Sequence, residues 1–311
     1  MAVMTSVQVV CRDHDAIAAL PHVLSLLHRY LDYSRRWSLE RAASRGFVHL
    51  VDVLSRRAKG IPGKRTLPVF MYGQALKAAA ENGHVNVMEW IVANIDGFVV
   101  PDFIMNVAAL SGRLNVVEWL HREHSTVQCT ATAMDLAAWN GHLDVVQWLH
   151  SNRSEGCTTD AMDLAAKNGH LDVIEFLHQN RSEGCTYKAM NNAAHGGHMD
   201  VVQWLHNNRS EGCTSAAMDV AAASGNLEIL KFLGLHRTEG CSDHAMMAAI
   251  HGGHLHIVEW LVEKLPEQFS STEALRIAID IAERAHDFRI LRWLSEKLQH
   301  IHQQTRQEST S

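Results

Sequence analysis

The sequence predicts an all-α helical repeat solenoid, on three observations. A cysteine returns every 28 residues, a helix-stopping glycine keeps register with it, and a second helical pattern opens directly after that glycine. The cysteines are Cys129, Cys157, Cys185, Cys213 and Cys241, and the text between them repeats, as in CTTDAMDLAAKNGHLDVIEFLHQNRSEG from Cys157 to Gly184. A unit this short cannot bury its own apolar face, so stability has to come from neighbours packed side by side.

Within one unit the elements follow in order. Thr158 is placed to cap a first helix, and Asp160 puts an acid in the first turn, where the helix dipole favours it. Met162, Ala165 and Ala166 fall at helical spacing and give a narrow face of small residues that lets helices approach closely. Gly169 supplies the left-handed residue that ends the helix. Leu171, Val173, Ile174, Phe176 and Leu177 then form the wider stripe of a second helix, with Asp172 and Glu175 outside it, and NRSEG from Asn180 to Gly184 is the return loop.

The same grammar places turn glycines at Gly46, Gly83, Gly112, Gly141, Gly169, Gly197, Gly225 and Gly253. A large aromatic recurs in the second helix, as at Trp90, Trp119, Trp148, Phe176, Trp204, Phe232 and Trp260, and is read as core, like the methionines Met134, Met162, Met190, Met218 and Met246. A ninth, degraded unit keeps Trp293 and Leu294 in register. His286 stands there in place of the glycine, and Arg284, Arg289 and Arg292 make the face polar, as a terminal cap requires.

Two places break the period. Between Gly46 and Gly83 lies the turn-rich, basic insertion GIPGKRTLP, from Gly60 to Pro68. Ahead of the array, Ile17 to Leu31 reads as an amphipathic helix broken early by Pro21, an N-terminal cap. The expected organisation is a capping region over 1–37, a repeat array of about eight units and a degenerate cap over 38–298, and a disordered tail over 299–311.

Composition narrows the function. The chain has 311 residues, 47% hydrophobic content and a formal charge of -6 with 22 His counted neutral, which leaves no basic footprint for nucleic acid. The amino terminus lacks a signal-peptide pattern, and no apolar run is long enough to span a membrane, so an intracellular protein, cytoplasmic or nuclear, and a monomer are expected. Equivalent atoms of stacked units lie about 10 Å apart, while a disulfide needs Cα atoms within about 7 Å. The cysteine column is therefore expected to stay reduced. The same translation spreads His142, His170, His198 and His254 along a line rather than round one ion, so neither metal nor cofactor is expected.

With G-H-L-x-V-V-x-W-L preceded by A-A-x-x, the units resemble ankyrin repeats over roughly residues 38–298. The resemblance implies a stack of helix pairs that binds partner proteins on its concave face. Two features depart from the family. The T-P-L-H opening is replaced by Ala-Met-Asp, as at Ala133–Asp135, Ala161–Asp163 and Ala217–Asp219, so Asp163 and its equivalents are expected to bond neighbouring backbone instead. The unit is 28 residues, not 33, which predicts reduced or absent β-hairpin fingers and recognition on the inner helices.

In the family the residues just before each turn glycine face the concave surface. Here the first of them reads Glu81, Leu110, Trp139, Lys167, His195, Ala223 and His251, and it varies while its neighbours barely change. The second position of each helix start varies too: Ala131, Thr159, Tyr187, Ser215 and Asp243. Variation on a fixed scaffold is how an array presents a partner-specific surface. The partner-binding candidates are Leu110, Trp139, Lys167, Tyr187, His195 and His251, with Trp139 as an exposed aromatic anchor and Lys167 selecting an acidic counterpart. The Arg153–Glu155, Arg181–Glu183 and Arg209–Glu211 pairs are read as solvated loop edges.

No nucleophile elbow, phosphate loop, dinucleotide fingerprint or H-E-x-x-H occurs, so no catalytic residue is expected. The function expected is a non-enzymatic interaction module for a protein partner. A slight resemblance of Leu20 to Asp32, LPHVLSLLHRYLD, to the opening of an F-box implies an alternative role as a substrate adaptor of a ubiquitin ligase.

Overall fold

The computed structural model describes residues 37–59, 67–125 and 127–308. The expected capping helix, the F-box-like segment and most of the Gly60–Pro68 insertion lie outside them. Among the described residues the chain forms nineteen α-helices and no strand, consistent with an all-α ankyrin-type solenoid without fingers. The helices come in pairs. They are α1 (Leu39–Ser44) with α2 (Val48–Lys59), α3 (Val69–Glu81) with α4 (Val85–Asn94), α5 (Phe103–Leu110) with α6 (Leu114–Glu123), and α7 (Ala131–Trp139) with α8 (Leu143–Asn152). Next come α9 (Thr159–Asn168) with α10 (Leu171–Asn180), α11 (Tyr187–Gly196) with α12 (Met199–Asn208), α13 (Ser215–Ala223) with α14 (Leu227–His236), and α15 (His244–His251) with α16 (Leu255–Lys264). The short α17 (Pro266–Phe269) leads into a ninth pair, α18 (Thr272–Arg284) and α19 (Phe288–Glu308).

The chain divides into two compact units. The first holds the residues up to Ala133 with Gln147–Glu155, and the second holds Met134–Val146 with the residues from Gly156 onward. In the first, inner helix α1 packs on α3 and α3 on α5, while outer helix α2 packs on α4 and α4 on α6. In the second, α9 packs on α11, α11 on α13, α13 on α15 and α15 on α18. Sequence dictates this arrangement: the inner helices present buried alanines and methionines, such as Ala161, Met162, Ala165 and Ala166, and the outer helices bury Val173, Ile174 and Leu177.

Joints in the second unit are held by a side chain whose partner the repeat period fixes. Asp135, Asp163 and Asp219 each reach the residue 23 positions on. Asp163 accepts the backbone N–H of Thr186 on Oδ1 at 2.8 Å and its hydroxyl on Oδ2 at 2.6 Å. The Thr186 hydroxyl in turn accepts the N–H of Lys188 at 3.1 Å and so caps α11. One hydroxyl serves both the joint and the helix start. Thr158 does the same with Asp135 and Ser242 with Asp219. At the joint between the Asp163 and Asp219 ones, Asn191 takes the place of the acid. Its amide donates to the Thr214 hydroxyl at 2.8 Å, and Thr214 makes no side-chain cap. Asp135 and Asp163 are buried; desolvation raises both carboxyls above their ordinary value, opposed by the threonine bonds.

The turn glycines do two jobs. Gly141 has φ +73 and closes α7, and a Cβ there would lie 2.4 Å from the His170 ring of the next repeat. Gly169 faces His198 in the same way. His198 Nε2 donates to the Lys167 carbonyl at 3.1 Å and His254 Nε2 to the Ala223 carbonyl at 3.1 Å, so these two rings bond the preceding turn.

Three expectations change. The outer-helix aromatics are not core as a class: Trp119 is buried, but Trp90, Trp148, Phe176, Trp204, Phe232 and Trp260 are half-buried. They sit on the outer ends of the stripe, where a histidine of the repeat before meets them edge to face, His121 on Trp148 and His178 on Trp204. The Arg–Glu pairs are only partly solvated, with the arginines half-buried and Glu155 and Glu211 exposed. Arg181 pairs with Glu183 while its guanidinium covers Gly156 of the preceding loop, and Glu183 accepts the N–H of Cys157 at 3.5 Å. The segment 299–311 is not a disordered tail over its described part, because α19 continues through Glu308. Its composition, QHIHQQTRQE, contains neither proline nor glycine to stop a helix.

His286 is the only non-glycine residue at positive φ among the described residues, at φ +56. Replacing it by glycine should raise stability by about 1 kcal/mol, the usual cost of a left-handed L-residue, measured by urea unfolding. Asp163→Ala should lower stability by about 2–3 kcal/mol. Asp163→Asn should lose clearly less, because Asn191 already serves this position. Equal losses in the two variants would show that the joint is not built as described.

Candidate functional site

Five of the varying residues lie in the last turns of consecutive inner helices of the second unit. Trp139 ends α7, Lys167 and His195 are the next-to-last residues of α9 and α11, Ala223 ends α13 and His251 ends α15. Lys167, His195, Ala223 and His251 are exposed, and Trp139 is half-buried rather than freely exposed. For four of the five, Trp139, Lys167, His195 and Ala223, the main-chain carbonyl is held from the following repeat. The Trp139 carbonyl accepts from Asn168 Nδ2 at 2.8 Å and the His195 carbonyl from the Ser224 hydroxyl at 3.3 Å. The side chains therefore vary on a backbone that does not move with them.

Helical spacing extends this row one turn back along each helix, to Leu136, Leu164, Asn192, Val220 and Ala248, all half-buried. Sequence reasoning missed these residues, although their place three residues before the row was a readable signal. With them the face becomes a strip carrying leucine and valine between polar ends. Tyr187 is exposed at 48% but opens α11, whereas His195 lies near its other end. At 1.5 Å per residue the two are about 12 Å apart along the helix. They mark opposite borders of one helix face, not a single spot. Leu110 ends α5 in the first unit and is half-buried.

The charge on this strip is mixed. Lys167, Lys188, His195, His244 and His251 are exposed beside Asp160. His251 Nδ1 bonds the Met247 carbonyl at 2.9 Å, which fixes its ring against its own helix.

The thiol column lies away from this strip, at the return loops. Cys157, Cys185 and Cys213 are buried and Cys129 and Cys241 half-buried, all unpaired. Burial, reinforced by neighbouring carboxylates, pushes the thiols of Cys157, Cys185 and Cys213 up to about 11 and that of Cys241 to about 12. Thiols so poised are packing groups, not nucleophiles. Among the described residues no group of three or more His, Cys, Asp or Glu converges as a metal site would require. No helix there is long and apolar enough to cross a membrane.

Comparison with known families follows the same register. The model for ankyrin repeats (many copies) matches residues 162–206 and 218–262, and the model for ankyrin repeats (3 copies) matches residues 76–163. Together the matches take in more than half of the chain. In a comparison with curated proteins, none matches.

The loop ion pairs give a pH test. The Arg181 and Arg237 guanidinium groups hold the Glu183 and Glu239 carboxyls down to about 2. A carboxyl depressed in the folded state contributes stability above its unfolded value, near 4.3, and loses it as pH falls towards 2. Unfolding measured from pH 5 to pH 2.5 should show stability falling in the parent. The fall should be shallower in an Arg181→Gln, Arg237→Gln double variant.

Proposed function

Because the chain belongs to the ankyrin repeat family, whose repeats are protein–protein interaction modules, we propose that it is a non-enzymatic module holding a partner protein on the inner-helix strip of its second unit. The observation that carries this reading is the contrast within each inner helix. Ala165 and Ala166, Ala193 and Ala194, Ala221 and Ala222 are buried and repeat without change, while the residue after each pair runs Lys167, His195 and Ala223 at the surface. Uniform packing makes the stack, and a different side chain at each step gives it a readable address.

In this reading half-buried Trp139 and exposed Tyr187 are the aromatic anchors at two borders of the strip, since aromatic side chains concentrate binding energy at interfaces. Lys167, His195 and His251 select hydrogen-bonding and acidic groups, and Leu136, Leu164 and Val220 supply the apolar centre. Leu110, in the first unit, is a separate candidate on the inner-helix face of that unit. The intracellular setting belongs to the same proposal, because reduced, buried thiols suit a reducing compartment.

Affinity purification of the full chain beside a Trp139→Ala, His195→Ala variant tests the placement. Recovery of the partner should be lost in the variant, with its thermal midpoint lowered by only a few degrees, as loss of about 1 kcal/mol would give in a chain this size. Partner recovery at the parental level would overturn it.

A further inference from the structure

At the joint between the eighth and ninth helix pairs the inter-repeat clamp is missing. The clamp position, occupied by Asp135, Asp163, Asn191 and Asp219 at earlier joints, is Met247 here. Methionine cannot bond the next repeat. The residue 23 positions on, Ser270, turns its hydroxyl to the Val262 carbonyl instead, at 2.6 Å. Where Asp163 is 2% exposed, Met247 is 37% exposed.

Beside it the joint opens into a cleft of about 280 Å³ between α15, α17 and α18. Met246, Met247, Phe269, Ile277 and Ile281 give it apolar walls, and Ile277 is 53% exposed on the rim. Two carboxylates border it, Asp243 and Glu273, and among the described residues no basic side chain lines it. Gln268 Nε2 donates to Asp243 Oδ1 at 3.1 Å and to the Cys241 carbonyl at 3.3 Å, which fixes one acid at the rim. The other acid stands in the first turn of α18, which Ser271 caps by accepting the Ala274 N–H at 3.0 Å.

We infer that this cleft is a docking pocket for one apolar side chain of a basic amphipathic segment of a partner protein, whose lysines or arginines pair with Asp243 and Glu273. The inference rests on the reading of the chain as a protein-binding module and gives its partner a chemistry. The volume lies just below the roughly 300–1,000 Å³ usual for small-molecule pockets and suits a single large side chain. Acid at an apolar rim selects a cation flanking that side chain. An anionic lipid surface would be repelled by the same carboxylates, and a second copy of this chain brings a net charge of -6 towards them.

The test uses the full chain with its methionine methyl groups labelled with ¹³C. The probe is an 18-residue helical peptide of leucine and lysine, with a leucine and glutamate peptide of the same pattern as control. Binding of the first should move the Met247 methyl signal and leave that of Met162 in place. An Ile277→Gln, Glu273→Lys variant, changed only at exposed side chains, should lower affinity at least tenfold by fluorescence anisotropy. Trp139→Ala, His195→Ala should leave peptide affinity unchanged, so that failure of the strip and failure of the cleft are told apart. Four results would overturn the proposal: equal affinity in the cleft variant, equal binding of the glutamate peptide, an equal loss from Glu228→Lys on the outer helix α14, or a dimer in sedimentation that Ile277→Gln dissolves.

Discussion

The second unit depends on a hydroxyl that bonds in two directions. In the joint made by Asp163, the Thr186 hydroxyl gives its proton to a carboxylate of the repeat before and takes an amide proton from the helix it starts. The acid is buried, and burial of a carboxylate is unfavourable unless its oxygens are met. Here both are met, one by a main-chain N–H and one by the hydroxyl. The bond therefore specifies where the next helix begins as much as how strongly it is held, and a slip of one residue would leave a charge without partners.

Much of this was legible in the sequence because the chain is its own alignment. Helix starts at Thr158 and Thr186, turns at Gly141 and Gly169, the alanine and methionine core and the absence of fingers all follow from the period. That Asp163 would replace the family's threonine and histidine bonds could be read from the substitution itself. The varying row from Trp139 to His251 was read in the same way, and the structure places these residues at matching points of successive inner helices.

The rest was hidden for physical reasons. Whether an aromatic on a helix is enclosed or only covered depends on what the adjacent repeat lays over it, and in Trp148 and Trp204 that cover is an imidazole edge. The Arg181–Glu183 pair looked like an exposed loop pair because sequence does not show that Gly156 of the neighbouring loop lies beneath the guanidinium. The persistence of α19 past 298 shows a polar segment staying helical without any break residue. The opening beside Met247 was the least visible of all, since its walls come from three separate helices and no spacing in the sequence marks a gap between them.

The contact that Gly46, Gly141, Gly169 and Gly225 make with the imidazole of the next repeat bears on how such an array can grow. Gly141 and Gly169 have no side chain because the His170 and His198 rings need that space. His286 occupies the corresponding turn of the ninth pair and adopts the left-handed backbone while keeping a side chain. A tenth unit copied from those before it would find this seat taken. Within the array the bare turn and the ring that fills it are therefore one joint choice, made by two neighbouring repeats together.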